Sequence, residues 1–123
     1  MKINKKVNIP CNTKQFFYNW YVFTKPFHNL NESSIDVLAQ LAYYYNEYKK
    51  DVLKEDLVWK LVFDYDTKMN IKEYLNITDD VFQNRLSVLR KEKAIINNTI
   101  PLKFLPILEN NNYTLTFNFQ INE

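Results

Sequence analysis

An α+β domain, with helices first and a small antiparallel sheet last, is predicted by three stretches of this sequence. SSIDVLAQLAYYYNEY (33–48) repeats apolar residues at helical spacing. NITDDVFQNRLSVLRKEKAI (76–95) reads as a tight turn, a capped helix and the start of a strand. YTLTFNFQI (113–121) alternates strictly, with Tyr113, Leu115, Phe117, Phe119 and Ile121 on one face and Thr114, Thr116, Asn118 and Gln120 on the other.

The elements follow in chain order. Residues 1–11 form a basic arm carrying Lys2, Lys5 and Lys6, with a short strand allowed before Pro10. NTKQFFYNWYVF (12–23) places Phe16, Phe17, Trp20 and Phe23 at helical spacing, which predicts a short buried helix stopped by Pro26. Asn31 is placed to cap the next helix, with Glu32 at its positive end. That helix sets Ile35, Leu38, Leu41, Ala42 and Tyr45 on one face. In EDLVWKLVFD (55–64), Leu57 pairs with Leu61 and Val58 with Val62, again helical, and Asp66 is expected to cap a short helix after it.

Thr78 is expected to cap the helix that begins at Asp79, where two acids suit the helix dipole. Phe82, Leu86 and Leu89 would seat this helix on the core, with Lys93 on the same face. Ala94–Ile96 reads as a strand and Asn97-Asn98 as a tight turn. IPLKFLPIL (100–108) carries two prolines, which suits an edge strand or an extended crossing segment. Helices, then a helix-turn-helix pair, then a β-hairpin: this order predicts a winged helix-turn-helix, the hairpin being the wing.

Composition narrows the function. The chain of 123 residues is read as a single domain, and at 46% hydrophobic and 16% aromatic it is no disordered tail. No apolar run approaches the roughly 18 residues that span a bilayer, so no membrane partner is expected. The basic start is not followed by a signal-peptide core, which makes an intracellular site the expectation. One cysteine, Cys11, and one histidine, His28, exclude an intrachain disulfide and a four-ligand zinc site; Cys11 is expected to be buried or half-buried. With no glycine anywhere, phosphate loops and nucleophile elbows are excluded, and Asn is expected at left-handed turn positions. The adjacent acids Glu55-Asp56 and Asp79-Asp80 diverge on their helices, so no catalytic pair, no enzyme and no cofactor are expected.

The candidate recognition helix turns Asp80, Asn84, Ser87 and Lys91 outward, with Gln83 and Arg90 on a flank. Asn and Gln can pair with adenine and Arg with guanine, so Gln83, Asn84, Ser87, Arg90, Lys91 and Lys93 are candidate contacts to duplex DNA, with Lys2, Lys5 and Lys6 as a mobile arm. Charge argues against tight binding. From Asp66 onward seven bases (Lys68, Lys72, Arg85, Arg90, Lys91, Lys93, Lys103) meet seven acids (Asp66, Glu73, Asp79, Asp80, Glu92, Glu109, Glu123), and the whole chain is only +2. Tyr43, Tyr44 and Tyr45 spread over about 200° of helix and cannot all face one core. Tyr43, Tyr44 and Tyr48 are therefore candidate interface residues.

The pattern KPFHNLNESSIDVLAQLAYYYNEY, NIKEYLNITDDVFQNRLSVLRKEKAI and IPLKFLPIL resembles small winged-helix proteins encoded by crAss-like tailed phages of gut bacteria, over most of the chain. Where such sequences carry a glycine before the Ile strand, this chain has Lys93-Ala94. The resemblance implies a phage-encoded, non-enzymatic protein, in the host cytoplasm or the virion. It either binds DNA or is part of the particle, and no contact residue is implied; the alternative to DNA binding is a structural or adaptor role at the head-tail junction, with a homo-oligomer allowed.

Overall fold

A computed structural model describes residues 5–123 and shows a helical bundle in place of the expected α+β domain. Helix accounts for 57% of the described residues, and no sheet is present among them. Six helices follow one another: α1 (Thr13–Phe23), α2 (Lys25–His28), α3 (Glu32–Lys49), α4 (Glu55–Val62), α5 (Tyr65–Leu75) and α6 (Asp79–Lys91). A 3-10 turn, Leu102–Phe104, comes after them.

Helix α3 is the centre. Ile35, Val37, Leu38, Ala39, Leu41, Ala42 and Tyr45 are all buried, which covers more of its circumference than one amphipathic stripe. α1, α4, α5 and α6 pack around it. Asn31 caps α3 as expected, accepting the Ser34 N–H at 2.8 Å. Helix α1 starts with a capping box: Asn12 Oδ1 accepts from the Gln15 N–H, and Gln15 Oε1 from the Asn12 N–H. Its buried pair is Phe17 and Tyr21, one turn apart, while Phe23 is half exposed, against expectation. α1 ends at Phe23, short of Pro26, which lies in the first turn of α2, where a helix tolerates proline. Asp64, not Asp66, caps α5, accepting the Thr67 N–H at 3.2 Å.

The turn between α5 and α6 and the cap of α6 form as the sequence predicts. Asn76 takes the left-handed conformation, and the Ile77 and Asn76 N–H groups bond back to Lys72 and Glu73, which closes α5 as a Schellman motif. Thr78 then caps α6, accepting from Val81 at 3.3 Å. Phe82, Leu86 and Leu89 are fully buried against the core.

The wing is absent, and the reason is local. α6 closes in a second Schellman motif: Lys93 is left-handed (φ 60°), and the Ala94 N–H bonds to the Leu89 carbonyl at 2.9 Å. Asn97 and Asn98 do form the tight turn (φ 51° and 53°), and Ile96 and Thr99 exchange both backbone bonds. In that register the next hydrogen-bonded pair would be Ala94 with Pro101. Pro101 has no N–H, and the Ala94 N–H is already committed, so the ladder stops after one pair. Ala94 and Ile95 are core residues following a helix cap, not a strand. The proline-bearing segment then crosses the bundle. Tyr21 donates its hydroxyl to the Phe104 carbonyl, and Asn46 Oδ1 accepts the Leu108 N–H at 3.3 Å.

The expected strand 113–121 is not a strand: it pairs with no other segment among the described residues. None of its backbone groups enters a hydrogen bond among the described residues. Tyr113 leans on Phe16 (ring centroids 5.0 Å apart) and Phe117 stacks on Phe27 (6.0 Å, 10° between planes), so its first half lies along α1 and α2.

Candidate functional site

Helix α6 offers its outer face to solvent because the opposite face is taken by Phe82, Leu86 and Leu89. Gln83, Asn84, Ser87, Arg90 and Lys91 are all exposed on it, and Lys93 is exposed just beyond its end. The structure therefore brings five of the predicted contacts together on α6, with Lys93 just past its end. Two are partly engaged. Ser87 donates its hydroxyl to the Gln83 carbonyl at 3.0 Å, one turn back in the same helix. Gln83 also stands beside Asp79, whose carboxyl is held below the ordinary carboxylate range by a hydrogen bond from Lys72 (3.0 Å), with lesser help from Gln83 and Lys68. That ion pair joins the last turn of α5 to the first turn of α6 and uses up one of the few bases in this half.

Lys5 and Lys6 are exposed and lie outside any helix, whereas Lys2 lies outside the described residues. Cys11 is exposed, not buried as expected, because it precedes the first helix and contacts no core element. His28 is structural: Leu30 N–H donates to Nδ1 at 3.0 Å, which leaves Nε2 to donate to the Tyr21 carbonyl at 2.8 Å.

The tyrosines resolve into two groups. Tyr45 is buried, stacked on Trp59 with centroids 4.3 Å apart, and donates its hydroxyl to Glu55 at 2.6 Å. Burial, followed by this bond to a carboxylate, raises its pKa far above the ordinary phenol value. Tyr43, Tyr44 and Tyr48 are half-buried at the edge of the core. Their rings contact one another, and the Tyr48 hydroxyl is 2.6 Å from Thr67 Oγ1. Lys14 of α1 lies over Tyr43, Tyr44 and, at 3.9 Å, Tyr74 of α5. The sequence reading missed this junction because its members come from three helices with no shared spacing.

Beside it, a cleft of about 200 Å³ between α1, α3 and α5 is lined by Lys14, Tyr18, Asp36, Gln40 and Tyr74. Gln40 is buried and its Oε1 has no hydrogen-bond partner. Burial raises the Asp36 pKa and Glu32 adds to it, while Arg85 opposes both. Among the described residues no group of three or more His, Cys, Asp or Glu could hold a metal ion, and no helix is long and apolar enough to cross a membrane.

A different surface stands out by its apolar character. Phe23 and Phe27 at the α1–α2 corner and Leu115 and Phe117 of the C-terminal segment are all more than one-third exposed. Phe119 and Ile121 are 85% and 83% exposed. Phe27 and Phe117 stack on each other, so these exposed apolar side chains adjoin across the α1–α2 corner and the C-terminal segment. No family model matches the chain, and neither does any curated protein or solved structure.

Proposed function

We propose that this protein is a non-enzymatic assembly module. It docks another protein chain through its α1–α2 corner and its C-terminal segment. In the setting its sequence pattern suggests, it is a structural or adaptor component of a tailed-phage particle. The observation that carries this reading is the strand-patterned segment 113–121, which has no strand partner among the described residues and leaves Phe119 and Ile121 in water. Mass spectrometry of purified particles tests it: the protein is expected at a fixed stoichiometry to the other structural proteins. Particles that assemble and infect without it would overturn the reading.

Duplex-DNA binding by α6 is the second reading, supported by the capped turn before α6 and the shared outward face of Gln83, Asn84, Ser87, Arg90 and Lys91. It is weakened by the balanced charge from Asp66 onward, by two acids in the first turn of α6, and by the lack of a wing. Anisotropy titration with duplex DNA at low salt decides it. Binding tighter than about 10 μM that weakens as salt rises would support it, since non-specific binders typically reach about 10⁻⁴–10⁻⁶ M even at physiological salt. Flat titrations would remove it.

A further inference from the structure

We propose that Tyr113–Ile121 is a β-strand that completes itself in a second copy of this chain, the two segments pairing antiparallel about Phe117. The inference deepens the assembly reading and rests on it for the segment's role as a docking element.

The segment has the properties of a strand and lacks only a neighbour. It alternates without a break over nine residues and contains no Gly, no Pro and no charged side chain. Natural sheet edges are protected by charges, prolines or bulges, and this segment has none of the first two. Among the described residues its backbone donors and acceptors take part in no hydrogen bond. The nearest pairing, Ile96 with Thr99, ends at Pro101 and cannot extend to reach it.

The choice of occupant follows from register and charge. In an antiparallel pair centred on Phe117, Tyr113 lies opposite Ile121, Leu115 opposite Phe119, and Phe117 beside its own copy. On the other face Thr114 meets Gln120 and Thr116 meets Asn118. Every apolar residue thus meets an apolar one, every polar residue a polar one, and no like charges face each other. A slip of one residue would set each apolar side chain against a polar one, and a slip of two would leave two residues of each copy outside the paired segment, so centring on Phe117 is the register that pairs all nine.

The helices add a second argument. In its own chain, the first half of the segment rests on Phe16 and Phe27, while Phe119 and Ile121 are largely exposed. The antiparallel pairing sets those two residues beside the partner's first half, which already lies over α1. Each copy then covers the part the other leaves bare. A two-stranded ribbon alone is marginal in water, but one laid on helices from both copies has the support that it needs. The pairing is isologous and closes as a dimer, unlike a parallel stack, which would propagate.

Sedimentation equilibrium of the full chain, from about 1 to 200 μM, reads the association directly. A reversible monomer–dimer equilibrium is expected, and Phe117→Lys, which brings two ammonium groups together on the two-fold axis, is expected to leave a monomer with unchanged helical circular dichroism. Register is read by oxidative cross-linking in a Cys11→Ser background. Thr116→Cys with Asn118→Cys is expected to give a covalent dimer, and Thr114→Cys with Asn118→Cys is not, because those positions do not face each other. A chain that stays monomeric at about 200 μM overturns the inference. So does a dimer that survives Phe117→Lys or cross-links equally in both pairs. If such a chain is nevertheless stoichiometric in particles, the assembly reading stands with a different partner.

Discussion

Asp36 illustrates what a single side chain costs when a core helix must carry it. It is half-buried on α3, facing Glu32 on its own helix, Arg85 of α6 and the cleft lined by Lys14, Tyr18, Gln40 and Tyr74. Burial lifts its pKa, Glu32 adds to that, and the Arg85 guanidinium pulls the other way. A carboxyl whose folded pKa lies above its unfolded value binds its proton more tightly in the folded state, so the fold gains stability as pH falls through the folded pKa toward the ordinary value near 4. Above that window the charged form is a net cost. Asp36→Asn should therefore raise the urea midpoint at pH 7 and lose that advantage by about pH 4. A variant that is weaker at pH 7 would mean that the Arg85 attraction outweighs burial. At this same scale the left-handed positions were legible in the composition: with no glycine available, Asn29, Asn76, Asn97 and Asn98 take four of the five positive-φ positions among the described residues.

The fifth, Lys93, belongs to the scale of the element, because it is where α6 ends. A helix that closes in a Schellman motif favours glycine at this position, and an L-residue with a β-carbon pays for the left-handed conformation. Lys93→Gly should stabilise the protein by roughly 0.5–1 kcal/mol, the relief being reduced by the extra freedom glycine gives the unfolded chain. Chemical denaturation measures it, and a loss of stability would show that the lysine stem contributes packing that outweighs the strain. The helices and their caps were legible because each depends on neighbours three or four residues away: Asn31, Thr78 and the Phe82–Leu86–Leu89 stripe were all readable in order. The sheet was not. Two-residue alternation in 113–121 reports a strand's side-chain pattern but says nothing of where its hydrogen-bonding neighbour is. The hairpin failed on a conflict two residues beyond a correctly read turn, between the N–H that Pro101 lacks and the one that Ala94 has given to the cap of α6. The outward face of α6 was legible as geometry; the Lys14–tyrosine junction, assembled from α1, α3 and α5, was not.

For the whole molecule, the question is whether the C-terminal segment belongs to the folding unit or only rests on it. The core is complete without it: Pro106 is the last buried residue, Ile107 and Leu108 pack against the core, and Tyr21 and Asn46 fasten residues 104–108 in place. Beyond that point, Tyr113, Leu115 and Phe117 each remove on the order of 100 Å² from water, together about 7 kcal/mol at ~25 cal/mol per Å². Ordering the five residues from 113 to 117 costs about as much, at roughly 1.5 kcal/mol each. The two effects cancel, so the segment adds almost nothing to the stability of one copy and is free to spend its apolar face on a partner. A chain ending at Asn110 should keep its helical circular dichroism and lose less than about 1 kcal/mol in urea denaturation, measured at a dilution where the full chain is monomeric. The same truncation should abolish concentration-dependent stabilisation, since a partner that binds only the folded state raises stability by mass action. A loss beyond about 3 kcal/mol at dilution would place residues 111–123 in the core of each copy, and the segment would no longer be available for exchange.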